Sequence, residues 1–185
     1  MPSYACLPPN LPAQGDYALA GISPAHIEAI RQWRNAQMDV LRQREPISPE
    51  QQRRYFDTQI WPTLQLPQPP QVLLSFSHRG EPVGYGGLVH IAWAHRRAEV
   101  SFLLAPSRTA SPAGYAADFG AFLTLLKQLA FGPLGLQRLW TETYATRGHH
   151  IGVLEANGFE PEGRMRHHVL LDGRPVDSLL HGCLA

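Results

Sequence analysis

A chain of 185 residues, with 44% hydrophobic and 17% charged side chains, is long enough to bury a core as one domain without disulfide or metal support. A formal net charge of +1 excludes a general attraction to nucleic acid or to an anionic membrane, so any anion site has to be local. The two cysteines, Cys6 and Cys183, form no CxxC motif, which argues against a metal knuckle and favours a reduced, cytoplasmic setting.

Residues 1–15 are rich in proline and show no basic region followed by an apolar block, so we expect an irregular segment and no secretory signal. The longest apolar region, residues 113–136, is interrupted by Asp118 and Lys127, and we therefore expect no membrane span. Residues 1–185 are predicted to form a single domain.

The first half of the chain predicts one strand, two helices and three strands. The strand is expected within residues 16–21. Ser23-Pro24 and Ser48-Pro49 each combine an N-cap residue with proline at the first helical position, and Gln51 completes a capping box with Ser48. Three β-rich segments follow, at residues 71–77, 82–93 and 97–104. The second segment carries three glycines, which indicate a bulge or a close backbone neighbour.

The third β-rich segment and the loop after it stand out. Val100, Phe102 and Leu104 alternate with Glu99 and its neighbours, which predicts a strand with two distinct faces. Residues 105–113 form a loop of mostly small residues, and helical apolar spacing runs from Gly114 to Phe131. A helix N-terminus after such a loop suits a phosphate group, although many such loops are small only for steric reasons.

The rest of the chain predicts a strand at residues 137–145, a helix at 147–157 with Gly158 as its C-terminal cap, and a final hairpin of residues 169–171 and 178–183. The complete order is β-αα-βββ-α-β-α-ββ. This order predicts an α/β fold with a mixed, mostly antiparallel sheet flanked by helices.

This order and several short motifs resemble the GCN5-related N-acetyltransferase (GNAT) family, especially its ribosomal-protein and amino-sugar branch. The matching motifs are Trp33-Arg34-Asn35, Ala98-Glu99-Val100, Gly114-Tyr115-Ala116-Ala117-Asp118, Leu154-Glu155-Ala156-Asn157-Gly158-Phe159, and Asp172-Gly173 followed by Asp177. The resemblance implies acetyl-CoA as donor and co-substrate, and a primary amine as acceptor.

The resemblance also implies a pyrophosphate loop at the start of the long helix. Gly114 and Ala116 match the family pattern, whereas Ser111 takes a position that is usually basic or an amide, and Pro112 one that is often glycine. Arg108 or Arg147 is expected to supply the missing charge. The predicted cofactor-binding residues are Leu103, Leu104, Arg108, Ser111, Ala113, Gly114, Tyr115, Ala116 and Arg147.

For catalysis, Glu99 is the candidate base that removes the amine proton, directly or through water, and a backbone N–H near Leu103 is the expected oxyanion donor. The alternatives for Glu99 are pairing with Arg96 or Arg97 at the surface, or orienting the acceptor. Leu154 stands where the family usually has the tyrosine that protonates the leaving thiolate. Either the thiolate leaves unassisted, or an acid such as Tyr144, His149 or His150 replaces that tyrosine.

The sequence indicates less about the acceptor than about the donor. Arg31, Trp33 and Arg34 are candidate substrate-binding residues that would suit a phosphate-bearing acceptor, although packing and surface charge are their ordinary roles. The pairs His149-His150 and His167-His168 predict no metal site, because adjacent side chains point apart.

We expect a small-molecule amine, with a nucleotide-linked amino sugar ahead of a protein N-terminus. A second copy of the chain is a candidate partner, whereas nucleic acid and membrane are not. The rival hypothesis is a non-catalytic acyl-CoA-binding module, which Leu154, Ser111 and Pro112 favour.

Overall fold

The computed structural model of the protein describes residues 3–185 and contains an eight-stranded sheet flanked by helices. The strands are β1 (Ala13–Gln14), β2 (Tyr17–Gly21), β3 (Val72–His78), β4 (Glu81–Ala92), β5 (Arg97–Leu104), β6 (Arg138–Tyr144), β7 (Glu160–Leu171) and β8 (Arg174–Leu184). Their order across the sheet is β1-β2-β3-β4-β5-β6-β8-β7. Neighbouring strands are antiparallel except for the parallel pair β5–β6, which confirms the predicted fold class.

The helices are α1 (Ile27–Asn35), α2 (Pro49–Tyr55), α3 (Pro112–Phe131) and α4 (Gly148–Ala156). The capping box predicted for α2 is present: Ser48 Oγ accepts from the Gln51 N–H at 3.2 Å, and the Gln51 side chain accepts from the Ser48 N–H at 2.8 Å. After Tyr55 the chain continues as a π-helical turn, Phe56–Ile60, whose two terminal side chains are buried.

Helices α1 and α3 lie on opposite faces of the sheet. Tyr85 on β4 pairs with Leu103 on β5, and its hydroxyl accepts a hydrogen bond from Arg34 of α1. Phe102, next to Leu103, stacks on Phe119 of α3 with ring centroids 4.5 Å apart. Because successive side chains on a strand point to opposite faces, the core has one layer under α1 and a second under α3.

Three predicted boundaries are wrong. Helix α3 begins at Pro112 rather than Gly114, because Ser111 acts as its N-cap and proline fits the first helical position. The final hairpin extends over 160–171 and 174–184; β7 is an exposed edge strand, so its sequence lacks the apolar alternation that would reveal its length. Residues 13–14, expected to be irregular, pair with residues 17–18 across Gly15, whose φ of +58° permits the tight turn.

The glycines of β4 have close neighbours, as their sequence predicts. A Cβ on Gly86 would contact the Ser101 carbonyl oxygen and would lie 2.8 Å from Phe122 Cζ. Gly87 has a φ of +136°, which disfavours other residues. These glycines let β4 approach β3, β5 and the core beneath α3. No helix within residues 3–185 is long and apolar enough to cross a membrane.

Candidate active site

The sheet opens between β5 and β6. These parallel strands pair only at Arg97–Arg138, Ala98–Leu139 and Glu99–Trp140, and then separate although both continue. A cavity of about 900 Å³ occupies the opening and is lined by residues 99–102 of β5 and 141–144 of β6. It also reaches side chains of α1, α2, α3 and α4, so it connects the two faces of the sheet.

Two carboxylates lie on one face of this opening. Glu99 is 7% exposed, and Glu142 extends from β6 on the same face because Glu99 pairs with Trp140, two residues before it. One nitrogen, Arg42 Nη2, lies 3.7 Å from Glu99 Oε1 and 2.6 Å from Glu142 Oε2. Glu99 is therefore not a surface residue paired with Arg96 or Arg97, which was one of its alternative roles.

Each carboxylate also has a histidine at a β-bulge. His90, with a φ of +49°, places Nδ1 2.9 Å from Glu99 Oε2, at the irregularity between Val89 and Ala92. His168 lies in the bulge of β7, and its Nε2 is 3.7 Å from Glu142 Oε1. Burial raises the pKa of Glu99, and the positive charge of Arg42 opposes that rise. Glu99 is thus a carboxylate that can accept a proton more readily than one in water.

A cluster of aromatic and basic side chains lies on the opposite face of the opening, between α3 and α4. The His150 ring stacks on Phe119 at 4.3 Å, and its Nδ1 is 2.7 Å from the Tyr115 hydroxyl. Arg147 Nη2 lies 3.4 Å from the same Nδ1. Burial, together with the charge of Arg147, lowers the pKa of His150 well below its usual value, and burial raises the pKa of Tyr115. A neutral His150 therefore accepts from Tyr115 at Nδ1 and carries its proton on Nε2.

The N-terminus of α3 offers fewer free N–H groups than the sequence suggests. The Gly114 N–H donates to Ser111 Oγ at 3.2 Å, and the Tyr115 N–H donates to the Ser111 carbonyl at 2.8 Å. Pro112 has no N–H, and Ala116 is at the position where regular helical bonding begins. Among the predicted cofactor-binding residues 113–116, Ala113 is the one whose N–H has no helical or capping partner.

Three further predicted cofactor residues lie apart from the cavity. Leu103 and Leu104 are in the core and do not line the opening, which residues 99–102 of β5 line instead. Arg108 forms two hydrogen bonds of 2.8 Å with Asp118, a residue 1% exposed. The Arg108 charge is thus already paired within the fold. Arg147, by contrast, does line the cavity.

Of the three predicted substrate-binding residues, one lines the cavity and two do not. Arg34 lines the cavity and donates to Tyr85 and Gln43. Arg31 does not itself line the cavity; it is bound to Glu28 and to the carbonyl of Ile47, which does. Trp33 packs against the core.

Among the candidate acids, Tyr144 lines the cavity, and burial raises the pKa of its hydroxyl. His149 lies outside the cavity lining, with Nε2 3.0 Å from the Pro112 carbonyl oxygen. Leu154 is completely buried in the core and does not line the cavity. The leucine that replaces the family's tyrosine is therefore a core residue in this chain.

Sequence reasoning missed Arg42, His90, Glu142 and His168. Glu142 could have been found, because its alternation with Trp140 on a predicted strand places both on one face. The histidines reach the carboxylates through bulges, and Arg42 comes from a loop without a repeating pattern. Within residues 3–185, no group of three His, Cys, Asp or Glu side chains is placed to hold a metal ion.

The sequence matches the family model described as an acetyltransferase (GNAT) domain over residues 21–180. No curated protein matches it. Among solved structures, the spermidine N-acetyltransferase from Vibrio cholerae in complex with CoA and spermine is similar, with a TM-score of 0.77 and 18% identity, over 91% of this chain and 95% of that one. A chimera of the Vibrio cholerae enzyme SpeG and hSSAT gives a TM-score of 0.77 and 15% identity, over 92% of this chain and 96% of the other.

Proposed function

The chain belongs to the GNAT family of acetyl-CoA-dependent N-acetyltransferases, and on this premise we propose that it acetylates the primary amine of a small, polar molecule. The observation that carries the proposal is the cavity through the sheet, with the buried Glu99 on one face and the Tyr115–His150 pair on the other. A donor and an acceptor can approach such an opening from opposite faces and meet within it.

The face under α3 and α4 fits the donor. Thr141 lines the cavity, and its buried Oγ1 has no hydrogen-bond partner among residues 3–185, so it can serve a polar group of a bound acyl carrier. Arg147 and the Ala113 N–H supply positive charge and a donor for phosphate. Acetyl-CoA supplies an activated acyl group, and these residues would hold it.

A substitution at Gly114 tests this placement. A Cβ at Gly114 would lie 3.4 Å from Ser111 Cβ, so this position has room for a Cβ, and the side chain of Gly114→Val would block the approach of a phosphate. We expect severely weakened CoA binding by calorimetry, and unchanged binding in Gly148→Ala, where an added Cβ meets no atom within 4 Å. Unchanged CoA affinity in Gly114→Val would place the pyrophosphate elsewhere.

Glu99 is proposed as the base. An acceptor amine arrives as an ammonium ion and has to lose a proton before its nitrogen can attack. Glu99 lines the cavity, and the raised pKa improves its match to that task. The proton passes to a Glu99 oxygen, directly or through water, and then to solvent.

The proton for the departing thiolate is proposed to come from His150. Its Nε2 has no hydrogen-bond partner within the described part of the chain, so the ring can relay a proton: Nε2 gives its proton to the thiolate while Nδ1 takes the Tyr115 proton, and Tyr115 then regains a proton from solvent. Tyr144 is the alternative acid, since it also lines the cavity. If His150 is the acid, His150→Gln should lower kcat far more than Tyr144→Phe, whereas the reverse order would assign the role to Tyr144.

The lining under α1 and α2 indicates the acceptor. Its polar groups are mainly neutral amides and hydroxyls; they include Gln51, Gln52, Gln59, Gln71, Tyr55 and Thr58. The lining holds two carboxylates, and both lie beside Arg42. Neutral hydrogen-bonding groups with one acidic pair suit an amine that has a single cationic group and several hydroxyls, as amino sugars do, better than they suit a polycation.

A kinetic panel tests the whole proposal. The purified protein is supplied with acetyl-CoA and with glucosamine, a nucleotide-linked amino sugar, spermidine or a dipeptide, and CoA release is followed. We expect turnover with an amino sugar, and a fall in kcat of about 10² to 10⁴ in Glu99→Gln. The exposed Glu81→Gln is the matched control and should have no effect. A preference for spermidine would overturn the acceptor class. CoA binding without turnover for any amine would support the non-catalytic module.

A further inference from the structure

The guanidinium of Arg42 occupies a position that a ligand ammonium could take. Its Nη2 lies between Glu99 and Glu142, the two carboxylates in the cavity lining. We propose that Arg42 is an internal substitute for the acceptor, and that the amine nitrogen to be acetylated displaces Nη2 and lies between the same two carboxylates. This inference rests on the proposed function and adds the location of the reacting nitrogen and the residue that competes for it.

The two carboxylates can accept more hydrogen bonds than Arg42 supplies. Arg42 makes one hydrogen bond here, to Glu142 Oε2, and its contact with Glu99 is longer at 3.7 Å. Glu142 Oε1 is buried and has no hydrogen-bond partner among residues 3–185, because His168 Nε2 is 3.7 Å away. Glu99 Oε2 has His90 Nδ1 at 2.9 Å and can accept from a second donor. A primary ammonium has three donors, so it can satisfy oxygens on both carboxylates from one point.

Arg42 is also suited to leave. Its side chain is 53% exposed, and it comes from the segment between α1 and α2 that borders the acceptor side of the cavity. The guanidinium can therefore move into water, and an ammonium that takes its place keeps the two buried carboxylates compensated by a cation. The carboxylates are 9% and 11% exposed and stay in place.

With the amine in this position, acetylation would remove the positive charge that holds the ligand between the carboxylates. The bound ammonium loses one proton to Glu99, and the nitrogen forms a bond to the acetyl carbon while the carbon–sulfur bond breaks. The nitrogen loses its second proton to water as the amide forms, the thiolate takes up one proton from the catalytic acid to become a thiol, and the proton on Glu99 passes to solvent. The amide is neutral, so the attraction to the two carboxylates is lost and Arg42 can return. The same charge requirement restricts acceptors to amines that arrive protonated.

A binding experiment with propylammonium chloride tests the inference without turnover. Its affinity is measured by NMR titration of the 185-residue protein and of Arg42→Gln, Arg42→Lys, Glu142→Gln and Arg44→Gln, with tetramethylammonium chloride as a cation that lacks N–H donors. Arg44 is exposed in the same segment and does not line the cavity, so it is the matched control. If Arg42 fills the site about nine-tenths of the time, its removal should tighten propylammonium binding about tenfold.

We expect Arg42→Lys and Arg44→Gln to resemble the wild type, and Glu142→Gln to bind more weakly. Unchanged or weaker binding in Arg42→Gln, or equal binding of tetramethylammonium, would overturn the inference. If no amine is acetylated in the kinetic panel but Arg42→Gln still binds propylammonium more tightly, the proposed function fails and the cation site stands.

Discussion

Arg108 is a residue for which the sequence and the structure indicate different roles. The family resemblance suggests that it binds phosphate, whereas the structure pairs it with the buried Asp118. Arg108→Met keeps the length of the side chain and removes its charge, which leaves Asp118 with one hydrogen bond, from the Tyr17 hydroxyl at 2.8 Å.

The expected loss can be estimated from the contacts. Two hydrogen bonds to a charged group contribute about 1.5–3 kcal/mol each. Arg108 is one-third exposed, so water replaces part of the interaction, and we take the lower end, about 3 kcal/mol. For a chain of this size that corresponds to a fall in Tm of roughly 6–12 °C.

The matched control is Arg79, whose ion pair with Asp16 also has a 2.8 Å contact but is exposed on both sides. Arg79→Met should leave the stability nearly unchanged, because water screens a pair that is exposed on both sides. Chemical denaturation gives both stabilities, and calorimetry gives the CoA affinity of each folded variant. An Arg108→Met protein with unchanged stability and strongly weakened CoA binding would refute this reasoning and restore the phosphate role.

Four other substitutions have defined expectations. Leu154→Tyr should not restore a catalytic acid; a ring in this closed core position should cost about 1–3 kcal/mol of stability without a gain in kcat, so a folded variant with faster turnover would contradict the packing. Gly86→Ala should be clearly destabilising in denaturation experiments because its Cβ meets Phe122, whereas Gly152→Ala, with open space around a helical site, should stabilise by about 0.5–1 kcal/mol. Burial raises the pKa of Glu99 above its value in the unfolded chain. The stability that Glu99 contributes is therefore fully present below the unfolded pKa and is lost as the pH rises through the folded pKa. Glu99→Gln should thus be more stable than the wild type at pH 7, and a lower stability of the variant at that pH would contradict this reasoning.

Local signals predicted most of the secondary structure. Proline beside a capping serine marked the start of α2, and Gly158, with a φ of +84°, ends α4 as expected. The position of Glu99 on the central strand followed from alternation, and the structure places it at the opening between β5 and β6.

What the sequence could not provide were contacts between distant segments. The partner of Arg108 is ten residues away on a helix, and Leu154 faces the core because of how α4 packs, which the family pattern does not show. A β-bulge shifts the side-chain alternation by one residue, so strand periodicity gives no indication that His90 reaches Glu99.

The short pairing between β5 and β6 has a consequence for how the chain unfolds. Strands β1 to β5 come from residues 13–104 and β6 to β8 from residues 138–184, so each half of the sheet is continuous in sequence and can exchange its amide hydrogens as a separate cooperative unit. Three strand residue pairs, the Arg42–Glu142 ion pair and the packing of α3 join the two halves. A molecule bound in the cavity touches both halves of the sheet and therefore couples their local unfolding. It should raise the protection from hydrogen exchange even of strands that it does not contact.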